Sequence, residues 1–178
     1  AGALMVGLDP FAMEVFRLGE MRIPYPSGLS WAALRVGAPF ALPFMGVLLA
    51  HEMGHYFAAR KHRVRATLPY FIPFPSFLGT LGAVIRMSPY IPSRRALFDI
   101  AAAGPIAGLV VAIPLSIAGV AISEHVPAGD PEGVIILGDP LLFRVIEWSL
   151  LEPRGEDVEL LLHPVAFAGW VGLFVTAL

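Results

Sequence analysis

Apolar residues in this chain gather into long runs separated by mixed segments, and three runs are candidates to cross a bilayer, which takes about 20 helical residues. The first covers about 31–59, with Arg35 near its start and His51-Glu52-Met53-Gly54-His55 near its end. The second covers about 98–122 and carries no charge from Ile100 to Ile122. The third starts at Pro164 and is still apolar at Leu178. As a helix it makes only about 22 Å, short of a hydrocarbon core of about 30 Å. The opening AGALMVGL reads like the last turns of a helix, without the basic start and full apolar core of a signal peptide. Both ends are therefore expected to be cut. The pattern predicts one membrane-embedded core over 1–178.

The connection between the first two runs has a different rhythm. Prolines 69, 73 and 75 in PYFIPFP forbid a regular helix and favour extended chain. Thr80–Met87 is strand-like and loosely alternating, and Gly79 and Gly82 weaken any helix there. A short β element at the membrane surface is predicted. The predicted fold is thus an all-α polytopic membrane protein, a helical bundle with a small β element in the loop between the first two full spans.

Charge gives this arrangement a direction. Arg60, Lys61, Arg63, Arg65, Arg86, Arg94 and Arg95 fall in 60–95 with no acidic residue. The segment 123–163 holds nine acidic residues against Arg144 and Arg154. By the positive-inside bias the Arg-rich loop faces the cytoplasm or its equivalent, and the acidic segment is a solvated loop on the far side.

Composition agrees with a bilayer as solvent. Hydrophobic residues are 57% of 178 and mean hydropathy is +0.74. Charged residues are 15%, against about 25% in ordinary soluble domains. A soluble domain and a disordered chain are both excluded on this ground. The absence of cysteine removes disulfides, thiol nucleophiles and Cys-based metal sites. A net charge of −2 gives no electrostatic case for nucleic acid.

His51-Glu52-Met53-Gly54-His55 carries the chemistry. Residues i and i+4 of a helix share a face about 6 Å apart along the axis, so both imidazoles can reach one Zn²⁺ at about 2.0–2.1 Å. Glu52 lies beside them, placed to take a proton from water that the metal acidifies. That is the chemistry of a metalloprotease. Ionisable groups inside a spanning segment are costly to bury, which argues against a chance helix end with two histidines.

With HEMGH in an apolar helix, PYFIPFP and GTLGAVIRM after it, AAAGPIAG (Ala101–Gly108) opening the next helix, and HPVAFAGWVGLFVTAL at the close, the chain resembles the site-2 protease family of intramembrane zinc metalloproteases. It resembles members without an inserted PDZ domain. The resemblance implies His51 and His55 as metal ligands and Glu52 as catalytic base. It also implies a third ligand, an aspartate in an LDG motif of the last helix, which this sequence does not reach. Asp99 and His163 are the alternatives present, Asp99 being the closer in depth, and neither is the expected ligand. Asp99 reads as a carboxylate at a helix start, and His163 lies on the far side. His62 and His125 read as loop histidines.

Gly104 and Gly108 form a pair of small residues that lets another helix approach closely. Pro39 and Pro43 are expected to bend the first helix. An edge formed by Gly79, Thr80, Leu81, Gly82, Ala83 and Val84 could pair with an unwound substrate, or could simply be a structural hairpin over the helices. The expected activity is a zinc-dependent endopeptidase, a multi-pass integral membrane protein acting on membrane-protein substrates in the lipid bilayer. The alternative is a metal-binding membrane scaffold or transporter module without catalysis.

Overall fold

The computed structural model describes residues 4–7, 13–18, 21–26, 31–73, 80–127, 134–138, 140–150 and 158–177. In chain order the elements begin with β1 (Leu4–Gly7), β2 (Met13–Leu18), β3 (Met21–Pro26), α1 (Trp31–Lys61), β4 (Tyr70–Pro73) and β5 (Thr80–Val84). They continue with α2 (Arg94–Ala121), β6 (Glu124–Pro127), β7 (Val134–Leu137), α3 (Leu141–Leu150), β8 (Val158–Leu161) and α4 (Pro164–Ala177). The three apolar runs are therefore helices, and α1 continues unbroken past Pro39 and Pro43.

Among the described residues α2 is the helix both long and apolar enough to cross a membrane, and α4 is a shorter apolar helix. α2 begins earlier than the apolar run suggests because Ser93 caps it. The Ala96 N–H donates to Ser93 Oγ at 3.1 Å, satisfying one of the donors a helix start leaves over.

The chain divides into two compact units, Ala1–Ala41 with Ser116–Phe167 and Leu42–Leu115 with Ala168–Leu178. In the first unit a four-stranded sheet runs in the order β6-β8-β1-β7, and β2 and β3 form a hairpin. β1 is antiparallel to β7, with Leu4 opposite Leu137, and parallel to β8, with Leu4 opposite Leu160. Two expectations are corrected here. The opening AGALMVGL contributes a strand, not the end of a helix. The acidic segment is not a loop throughout: its described residues include β6, β7, β8 and α3, whose Phe143 and Ile146 are buried one helical turn apart. Strands are thus more numerous than a bundle with a single β element.

The second unit places the motif. β4 and β5 pair antiparallel, with Tyr70 opposite Val84, Phe71 opposite Ala83 and Pro73 opposite Thr80. Two residues of β5, Leu81 and Gly82, therefore face one of β4, Ile72, which is a β-bulge. Gly82 takes φ +115°, a value that suits glycine. Thr80 Oγ1 donates to the Ile72 carbonyl at 2.9 Å and accepts from the Gly82 N–H at 3.0 Å, closing the gap in the ladder. The β element read from GTLGAVIRM is present from Thr80, and Gly79 lies outside the described residues.

α1 ends in a Schellman turn. The Val64 N–H donates to the Ala59 carbonyl at 2.8 Å and the Arg63 N–H to the Arg60 carbonyl at 3.0 Å. Arg63 sits at the left-handed position, φ 58°. Val64 then packs with Ala59 and Ile100, a buried cluster that ties the end of α1 to α2.

Candidate metal centre

α1 brings His51 and His55 onto one face, and α2 fixes them there. His55 Nδ1–H donates to the Ile100 carbonyl at 2.7 Å. That bond sets the tautomer, leaving His55 Nε2 with a free lone pair. His51 Nε2–H donates to it at 3.0 Å, the rings meeting edge to face with centroids 4.8 Å apart. His51 Nδ1 is buried and has no hydrogen-bond partner among the described residues. Glu52, the next residue, accepts a hydrogen bond from the backbone N–H of Ile85, just past β5.

Glycines make this close assembly possible. A Cβ on Gly104 would run into the His55 ring, so the imidazole lies directly on the α2 backbone. A Cβ on Gly54 would strike the Ala103 carbonyl, so α1 and α2 touch main chain to main chain beside the histidines. A Cβ on Gly108 would meet Thr176 of α4 and approach His51. Gly172 of α4 in turn accommodates Val47 of α1. The small-residue pair read from AAAGPIAG thus seats both histidines, Gly104 under one and Gly108 beside the other.

The fit to a metal rests on the imidazole pair. Two nitrogens on a tetrahedral zinc at about 2.0–2.1 Å stand about 3.3–3.4 Å apart, within a few tenths of an ångström of the separation found here. A cation held by His51 and His55 would take the place of the proton the two rings share, as metal binding to histidine generally requires. Among the described residues no group of three or more His, Cys, Asp or Glu side chains converges on a common point. Asp99 is engaged elsewhere. Its carboxylate accepts a hydrogen bond from His62 Nε2 at 2.8 Å, which joins the end of α1 to the start of α2. His163, in the other unit, caps α4 by accepting from the Val165 N–H at 3.3 Å, with its own N–H on Ser123 Oγ.

Of the residues singled out on the sequence, His51, Glu52 and His55 come together. Val84 and Ala83 lie on β5, immediately before the residue that reaches Glu52. Sequence reasoning did not find the Ile100 carbonyl or the His62–Asp99 pair. A backbone carbonyl carries no side-chain signature, and His62 and Asp99 are 37 positions apart.

An apolar helix offering paired imidazoles and a neighbouring carboxylate, seated on a glycine-lined second helix, defines a class, and the comparisons agree. The profile of peptidase family M50 matches residues 39–178, and the chain belongs to that family, the site-2 proteases its motifs resemble. It is 31% identical over 173 residues to the probable zinc metalloprotease EGY1, chloroplastic, of Arabidopsis thaliana, covering 95% of this chain and 30% of that protein. The Oryza sativa subsp. japonica protein of the same name is 33% identical over 144 residues, 78% of this chain and 24% of its own length. The probable zinc metalloprotease EGY2, chloroplastic, of Oryza sativa subsp. indica is 29% identical over 152 residues, 82% and 27%. The chain spans less than a third of the length of these curated relatives. No solved structure matches it significantly.

Proposed function

We propose that this chain forms the catalytic part of a membrane-embedded zinc endopeptidase that hydrolyses peptide bonds within or near transmembrane segments of other membrane proteins. The single observation that carries the reading is the His51–His55 pair, 3.0 Å between Nε2 atoms, with one ring oriented by the Ile100 carbonyl and a carboxylate next in sequence. His51 and His55 hold the metal. When bound, zinc supplies a Lewis acid for the scissile carbonyl and acidifies water. Glu52 takes the proton from the attacking water and delivers it to the leaving amine. The Ile85 N–H holds the Glu52 carboxylate toward the hairpin, the side from which an extended substrate arrives.

A substrate helix hides its carbonyls in its own hydrogen bonds and must become extended before one can be attacked. The β4–β5 hairpin supports a route for this, because β5 pairs with β4 on one edge only among the described residues. Thr80, Leu81, Gly82, Ala83 and Val84, with Gly79 before them, form the proposed substrate edge. α1, α2 and α4 are read as the spans, with the Arg-rich loop on the cytoplasmic or equivalent face.

Glu52→Gln tests the reading. Cleavage of a membrane-protein substrate by the protein in lipid is expected to fall about 10²–10⁴-fold, the usual range for losing a general base, with bound zinc unchanged. His51→Ala should lose both zinc and activity. A Glu52→Gln protein that cleaves at the original rate would leave a metal-binding scaffold or transporter as the better account.

A further inference from the structure

A cavity of about 350 Å³ lies at the end of α1, lined by Arg60, Arg63, Val64, Arg65 and Ala66. It is an open surface depression. Three exposed arginines, Arg60, Arg63 and Arg65, border it, a local excess of positive charge that an anion would offset. None of the three has a carboxylate within ion-pair distance among the described residues. Arg60 donates from Nη1 to the Tyr56 hydroxyl at 2.9 Å, with its guanidinium 5.7 Å from that ring, which stiffens it.

Two features of the Schellman turn favour a ligand here. The left-handed position is ordinarily glycine, because a Cβ is strained there, yet this chain uses it to carry a guanidinium. A helix C-terminus also normally repels anions through its free carbonyls. Here the carbonyls of Ala58, Ala59 and Arg60 accept from the N–H groups of His62, Val64 and Arg63, so the arginines dominate the local field.

The geometry points to a phosphate-binding site, and we propose that the phosphate belongs to an anionic lipid headgroup. Guanidinium forks match phosphate oxygens in pairs. The flanks select an amphiphile over a soluble phosphate. Phe57, one turn before Arg60 and Lys61, is 62% exposed, and Leu68, three residues beyond Arg65, is 65% exposed. Apolar surface beside a cationic cavity is what a headgroup with its acyl chains requires. The site begins at Arg60, five positions beyond His55, so an occupant would hold the end of the helix that carries the imidazoles. Binding itself does not depend on the peptidase reading.

Native mass spectrometry of the purified protein, reloaded with phosphatidylglycerol or phosphatidylcholine, tests this. One phosphatidylglycerol is expected to survive delipidation while phosphatidylcholine is lost. Arg63→Gly and Arg65→Gln should each weaken retention by about tenfold, the scale of a lost charge-assisted hydrogen bond. Arg63→Gly relieves the left-handed strain, so its thermal midpoint should hold or rise, and weaker binding then reflects the missing guanidinium. Equal retention of the two lipids, or unchanged binding in both variants, would overturn the site. Displacement of phosphatidylglycerol by millimolar inorganic phosphate would overturn the assignment to lipid.

Discussion

A methyl group at position 104 would occupy space that the His55 imidazole fills. Gly104→Ala is therefore expected to push the ring off the Ile100 carbonyl, lower zinc content and cost about 1–3 kcal/mol in stability, the usual range for overpacking. Gly46 supplies the contrast. It lies inside α1 with nothing within 4 Å of an added Cβ, so Gly46→Ala should stabilise the helix by about 0.5–1 kcal/mol. Thermal unfolding in detergent, with metal analysis alongside, separates the two. Similar losses at both positions would mean that the glycines matter for helix propensity and not for seating histidine. At this scale the sequence was most readable where chemistry lives in side chains at fixed spacing, as in HEMGH. It was least readable where the partner is a main-chain carbonyl, as at Ile100, or a side chain brought near by folding, as in the His62–Asp99 pair.

The elements divide in the same way. α1, α2 and α4 follow from apolar runs long enough to admit no other reading. The β4–β5 hairpin was visible through prolines that exclude helix and glycines that disfavour it. β1 was misread because a short apolar run fits a strand or a helix end equally, and its partners β7 and β8 lie more than 120 residues away. α3 was missed because acidic neighbours masked a usable signal, the one-turn spacing of Phe143 and Ile146. The hairpin also carries a prediction. Leu81→Pro and Val84→Pro each remove an N–H from β5, and substrate cleavage should fall while zinc content stays constant. Unchanged cleavage by both folded variants would take β5 out of the substrate's path. Thr80→Val, which deletes the hydroxyl bridging the bulge, should loosen the same hairpin by about 1 kcal/mol.

For the molecule as a whole, the main expectation is sidedness. Tyr90 follows the hairpin and is 78% exposed, whereas His125 follows α2 and is also exposed. If α2 spans the membrane, the two are expected on opposite faces of it. The chain contains no cysteine, so Tyr90→Cys and His125→Cys each introduce a single reporter thiol. Impermeant maleimide added to sealed vesicles should label one and spare the other, and lysis should expose both. Labelling of both from the same side would rule out α2 as a span.

The main-chain contact of Gly54 with Ala103 bears on motion as well as on position. Side chains that interdigitate can slip by changing rotamer, whereas two backbones in contact have no such intermediate, and they separate all at once or not at all. Amide deuterium uptake should therefore be slowest at the middle of α1 and the facing part of α2, reporting only the rarest openings. The hairpin, a two-stranded sheet interrupted by its bulge, should exchange orders of magnitude sooner. If so, the segment that reaches Glu52 through the Ile85 N–H moves far more readily than the helices that carry the imidazoles.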